Sequence, residues 1–227
     1  MDPTHSGNDV TITISGDTDR FRDDPSTGQP SPDLSTWNTG GISPYEMSLA
    51  LALNYANRNQ EVAVTMSFLY DDGVVLSPVT IFNVDRGTGS FSYNYQDQLR
   101  DLSGQRLDDS LVAATITGSV SNQVTGSGLS QVVTGIGVVP NQGTDSDAGN
   151  VTVDFGSEVL KAFSFTLGSG SGSRSDPRFQ GISIYDVEFT PVPEAGTVAA
   201  AAAAGLIAAA WLRRRARAAA PSASERV

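Results

Sequence analysis

Residues 61–70 read Glu-Val-Ala-Val-Thr-Met-Ser-Phe-Leu-Tyr and alternate apolar with polar side chains. That puts Val62, Val64, Met66 and Phe68 on one face of an extended chain, because successive strand side chains point to opposite sides. The same period recurs along the chain. Residues 10–15 (VTITIS), 47–56, 79–84 (VTIFNV), 111–117, 131–139, 150–155 (NVTVDF), 162–167 and 182–189 each read as a strand bounded by Gly, Ser, Asn, Asp or Pro. About nine strands and no long amphipathic helix before residue 191 indicate an all-β fold, a β-sandwich or jelly-roll-like domain. Closure into a barrel is the alternative topology. Phe68, Phe82, Phe155, Phe163, Phe165, Tyr185 and Phe189 are expected to share its core. Residues 16–44 read as a long loop, while 141–150 and the Gly/Ser run 168–175 read as exposed loops.

The chain has 227 residues, no cysteine and a single histidine, His5. Disulfides, thiolate catalysis and Cys-based zinc sites are excluded. A Ser-His-Asp triad lacks a histidine in the folded body. Formal net charge is −11, and residues 1–190 hold 23 of the 25 acidic but only nine of the 14 basic residues. A body this acidic repels nucleic acid, whose phosphates demand Lys and Arg.

The C-terminal stretch has a different logic. Pro191-Val192-Pro193-Glu194 precedes an uncharged segment, residues 195–212, in which Leu206, Ile207, Trp211 and Leu212 carry most of the hydrophobicity and Ala195 opens the run. Eighteen such residues are near the minimum for a bilayer-crossing helix. Arg213, Arg214, Arg215 and Arg217 follow, the cationic flank that stays cytoplasmic, with Trp211 at the interface. The competing reading is a soluble or disordered alanine-rich tail, since alanine is the best soluble helix former. Met1-Asp2-Pro3-Thr4-His5 is not a basic-then-apolar leader, so a truncated or misplaced start is expected for an exported chain. The implied organisation is a polar arm (1–9), an ectodomain (10–190), the tail element (191–217) and a polar end (218–227).

In this order the tail resembles a PEP-CTERM sorting signal. The matching residues are Val192, Pro193 and Glu194, then the 195–212 helix and the 213–217 cluster; Ala195 stands where proline would complete the motif. The resemblance implies cleavage near the motif by a membrane-embedded exosortase-like protease. It also implies passage through the inner membrane to the cell surface or extracellular matrix, with exopolysaccharide as a partner. Ser77–Arg86 (SPVTIFNVDR), Tyr95–Leu99, Val151–Phe155 and Gln180–Phe189 further resemble a bacterial surface β-sandwich over residues 47–190. That resemblance implies a fold and a compartment but no reaction.

Three candidate sites emerge. Asn83, Asp85, Asp97 and, if the last strand runs nearby, Asp186 offer the oxygen ligands of Ca2+; salt bridges from Asp85 or Asp97 to Arg86 or Arg100 are the alternative. Asp145 and Asp147 faintly echo a calcium loop, although a polar hairpin tip explains them as well. Phe91, Tyr93 and Tyr95 alternate and could stack on sugar rings, or simply pack between strands. No carboxylate pair distinguishes itself as a glycosidase centre. The reading is therefore a non-enzymatic structural or adhesive surface protein. The alternatives are a carbohydrate-active or other hydrolytic enzyme on the same fold, and an ectodomain anchored without cleavage.

Overall fold

In a computed structural model, described over residues 9–42, 45–87, 94–137 and 146–193, the protein is all-β. In chain order the strands are β1 (Val10–Gly16), β2 (Asp33–Ser35), β3 (Ser48–Tyr55), β4 (Glu61–Phe68), β5 (Val74–Leu76), β6 (Val79–Phe82), β7 (Asp97–Gln105) and β8 (Leu111–Ala113). They continue with β9 (Thr115–Gly118), β10 (Asn122–Thr125), β11 (Val132–Gly135), β12 (Val151–Asp154), β13 (Val159–Leu160), β14 (Ala162–Ser169), β15 (Arg178–Tyr185) and β16 (Phe189–Pro191). All pairings are antiparallel. The first sheet runs β1-β4-β14-β7-β11-β10, with β8 also on β7; the second runs β2-β3-β15-β6-β12-β9; β13-β5-β16 form a small third. The compact unit ends at Pro191.

The alternation in β4 becomes a buried face. Val62, Val64, Met66 and Phe68 are all enclosed, and across the ladder Met66 faces Phe163, Val64 faces Phe165 and Val62 faces Leu167. The second sheet contributes Leu51, Leu53 and Tyr55 from β3, Ile81 from β6, Val151 and Val153 from β12, and Ile182 and Ile184 from β15. The two sets belong to one hydrophobic cluster, which Val74, Leu76 and Leu160 of the third sheet join. Antiparallel sheets with one buried face each have to be covered in this way, and the shared core is sandwich-like.

Several expectations change. The strand expected over 111–117 is two strands in different sheets, β8 and β9, and the chain crosses between them at buried Ala114. The central strand β7 was not legible, because Asp97, Gln98, Arg100, Asp101, Ser103 and Gly104 hide its period. Its ladder with β14 is irregular between Ser164 and Thr166, where Asp101 takes a left-handed φ of 55° and accepts a hydrogen bond from Thr166 Oγ1 at 3.1 Å. Pairing on both edges overrides weak strand propensity here.

Residues 16–44 are not a plain loop. They include β2 and lay Trp37 on the outer face of the second sheet, against Ala50, Ala52 and Phe179. Asp24 orders this stretch, accepting from the backbone N–H groups of Ser26 (2.7 Å) and Thr27 (2.9 Å) and from Ser35 Oγ (2.9 Å). Phe82 and Tyr185 stack at 5.1 Å apart from the main cluster, and the Phe82 ring lies against Gly40; both were expected in the shared core. Phe189 packs at the core margin against Phe68 and Tyr70.

Gly181 supplies the seat for Trp37: a Cβ there would overlap the indole ring. Gly181→Ala is expected to destabilise the fold by about 1–3 kcal/mol, the usual cost of overpacking. In urea unfolding the penalty should shrink when Trp37→Phe is added, because the shorter ring vacates the overlap.

Candidate functional site

The candidate site is a buried pair of carboxyl groups at a corner between the two large sheets. After β6 the chain turns out of the second sheet at Asn83, whose φ of 65° is in the left-handed region that Asn tolerates better than most residues. Its side-chain Nδ2 donates to the Gly181 carbonyl at 2.9 Å. Residues 85–87 then pair alongside the start of β7. Asp97 N–H donates to Asp85 O (2.9 Å), Arg86 bridges Gln96, and Gly87 N–H donates to Tyr95 O (3.1 Å). On the other side Arg86 N–H donates to Gly137 O at 2.9 Å. The approach is so close that a Cβ on Gly135 would run into the Asp85 backbone, so glycine is required there.

Gln96 locks the corner. Its Nε2 donates to Gly135 O and its Oε1 accepts from Gly172 N–H, both at 2.8 Å; its own N–H donates to Ser173 Oγ at 2.9 Å. A Cβ at Gly170 or Gly172 would crowd Oε1. The Gly/Ser run expected to be an exposed loop is thus partly a buried wall, with Ser173 enclosed. Gln96 carried no sequence signal of its own. The nearby glycines were the trace it left.

Asp97 is 0% exposed and Asp85 3%. Asp85 N–H donates to Asp97 Oδ2 at 3.3 Å, and the two carboxyl groups hydrogen-bond to each other. Two buried carboxylates this close disfavour joint ionisation, which raises the affinity of Asp97 for a proton. Burial is the main cause that holds the Asp97 carboxyl well above the usual aspartate range. The Asp85 charge adds to it, the Asp85 N–H opposes it, and the carboxyl–carboxyl hydrogen bond raises it further. Burial likewise pushes the Tyr95 phenol above its ordinary value, followed by the charges of Asp97 and Asp85 and a hydrogen bond to Asp85. Below the pair, burial raises Tyr55, with Asp97, Asp17 and Glu61 adding to the shift, and its hydroxyl donates to Leu167 O at 2.9 Å.

The four residues expected to hold calcium do not form one shell. Asn83 is engaged with Gly181. Asp186 follows Tyr185, which registers with Thr80 near the start of β6, whereas Asp85 lies past its end. Among the described residues no three acidic or histidine side chains converge, so this donor set does not fit an ion that takes six to eight oxygens. Nor does Arg100 serve the pair: it bridges Glu61. Tyr95 directs its hydroxyl at Asp85, with its ring against Gly87. Phe91, Tyr93 and Asp145 lie outside the described residues, as do Glu194, Ala195, Leu206, Ile207, Trp211, Leu212, Arg213, Arg214, Arg215 and Arg217. Of the sorting motif, Val192 is half-buried and Pro193 exposed.

Chemically, the pair can hold a proton. Glycosidase carboxyls stand about 5–9.5 Å apart around a substrate, whereas these touch each other and are closed to solvent. Comparison with protein-family models, with curated proteins and with solved structures gave no match to this chain.

A carboxyl whose pKa is raised by folding contributes stability below its unfolded value, near 3.8, and loses it as pH climbs through the folded value. Asp97→Asn keeps the shape, donates to Asp85 permanently and removes the titration. It is expected to raise stability at pH 7 by about 1–3 kcal/mol relative to the native protein. The gain should vanish toward about pH 4, as thermal melts across the pH range would measure.

Proposed function

We propose that this is an exported bacterial surface or extracellular-matrix protein, in which a β-sandwich of jelly-roll type serves a structural or adhesive role. Its C-terminal region acts as a PEP-CTERM-like sorting tail. The observation that carries the reading is the order of elements after the last strand. β16 ends at Pro191, and Val192, Pro193 and Glu194 follow at once. Next come the uncharged 195–212 segment, with Trp211 at its end, and then Arg213, Arg214, Arg215 and Arg217. An apolar run closed by a cationic cluster is the pattern of a membrane stop with the ectodomain on the far side. Among the described residues no helix is long and apolar enough to cross a membrane; the 195–212 segment lies outside them.

A short motif directly beyond a finished fold suits a protease at the membrane, since cutting there leaves the ectodomain whole. The non-enzymatic reading draws support from the body's chemistry. The chain has no cysteine, and its only histidine, His5, precedes the body. Its two central carboxyl groups face each other in the interior. The acidic surface suits a solvated exterior location.

Intact-mass analysis of the mature protein from its native bacterium tests this. The expected chain ends near residues 193–195. A membrane-bound chain still carrying Val227 would replace the sorting reading with an anchored ectodomain, a reading favoured by Ala195 at the third motif position.

A further inference from the structure

The nine basic residues of the acidic body are not spread evenly. Three of them, Arg20, Arg22 and Arg178, line one open cavity of about 350 Å³ with Asn54, Tyr55 and Asp176. The topology explains the convergence. Phe21 bridges Leu53 on one edge of β3, while Arg178 registers with Tyr55 and Phe179 with Asn54 on the other. Chain segments far apart in sequence therefore bring their arginines to one end of the second sheet. The backbone N–H of Arg58 donates to Ser175 O at 3.2 Å, tying the turn after β3 to the segment before Asp176.

Each arginine is held yet retains donors. Arg22 lies over the Phe179 ring, 4.5 Å from the centroid, which fixes the plane of its guanidinium. Arg20 bridges Asp19 through Nη2 at 2.8 Å, while its buried Nε has no hydrogen-bond partner. Arg178 has a φ of 63°, a costly conformation for arginine, and reaches Asp176 through Nε at 3.4 Å. These aspartate bridges are solvent-exposed, and such pairs are weak enough for a competing carboxylate to displace. Three arginines against Asp176 in the lining and Asp19 on Arg20 still leave a net positive charge at the cavity on a negative body.

We propose that this cavity binds the carboxylate of an acidic saccharide, gripped by the guanidinium forks of Arg20, Arg22 and Arg178, with the exposed Asn54 carboxamide meeting neighbouring hydroxyls. Fork geometry matches a planar carboxylate, and the volume suits about one sugar unit. A densely charged polyanion such as nucleic acid is repelled by the surrounding −14 body. A glycan with one carboxylate per sugar unit, set between neutral hydroxyls, carries less charge and is repelled less. The inference deepens the surface-matrix reading by naming the matrix chemistry that the ectodomain would meet.

The test is calorimetric titration of the full chain in non-ionic detergent with trigalacturonate, with neutral maltotriose as comparison. Trigalacturonate is expected to bind more tightly than maltotriose and to weaken as sodium chloride is raised. The Arg20→Gln/Arg178→Asn variant should lose roughly tenfold or more in affinity. Arg106→Gln, which removes one charge beside Glu158 as Arg20→Gln alone does in the cavity, should bind as the native protein does. Arg178→Asn keeps a residue that tolerates positive φ, and melting curves confirm that the variants fold. If the double variant unfolds, Arg20→Gln alone and the salt dependence of the native protein decide. No binding, equal binding of maltotriose, salt-independent affinity, or undiminished binding by a folded variant would each overturn the proposal. None of these outcomes alters the mature C-terminus, so this failure and failure of the sorting reading are distinguishable.

Discussion

Two antiparallel sheets, each with one apolar face, must find cover, and in this chain each covers the other. With no cysteine to cross-link the fold, burial of that shared interior is the main cohesive force. The other features serve it. The third sheet adds Val74, Leu76 and Leu160 to the same cluster, and the crossing at Ala114 moves the chain from one sheet to the other without exposing backbone. Trp37 covers a second apolar patch on the outer face of one sheet, where small residues at 50, 52 and 181 leave room for an indole.

The corner around Gln96 shows how a polar cluster can exist in such an interior. A buried amide must satisfy its donors and acceptor, and Gln96 does so with the backbone of Gly135 and Gly172 while its N–H reaches Ser173. Glycine appears wherever strands approach more closely than a Cβ would allow. Asp85 and Asp97 then enter the same interior with no cation among the groups that shift Asp97, so burial and the neighbouring carboxyl make Asp97 hold a proton more readily than an exposed aspartate does. The fold therefore keeps a carboxyl pair at a buried corner between its sheets, while three of the body's arginines meet at one end of the second sheet.

How much of this was legible can be judged from particular segments. β4 declared itself through Val62, Val64, Met66 and Phe68, because a strand buried on one face must alternate. β14 and β12 were legible for the same reason, whereas the strand expected over 182–189 is β15 (Arg178–Tyr185), buried on both faces through its middle, with Phe189 in the separate β16. β7 was not: it is paired on both edges, so ladder hydrogen bonds hold it despite Asp97, Gln98, Arg100 and Asp101. The Asp85–Asp97 pair was half legible. Both residues stood out as carboxylates, but sequence suggested an ion with Asn83 and Asp186, and the strand register separates Asp186 from the corner. The arginine cavity left no local trace, because residues 20–22 and 178 meet only through β3.

The sequence by itself determined the all-β class, several strand faces, the absence of cysteine and of histidine from the body, and an uncharged C-terminal run closed by arginines. These follow from local rules: side-chain period, residue inventory and run length. Only the tertiary structure decided which strands share a sheet, that Trp37 covers an outer face, that Asp85 and Asp97 are buried side by side, and that three arginines converge. Those outcomes depend on pairings between distant segments. Such pairings are selected by the joint burial of many side chains, and no short window of sequence contains that sum.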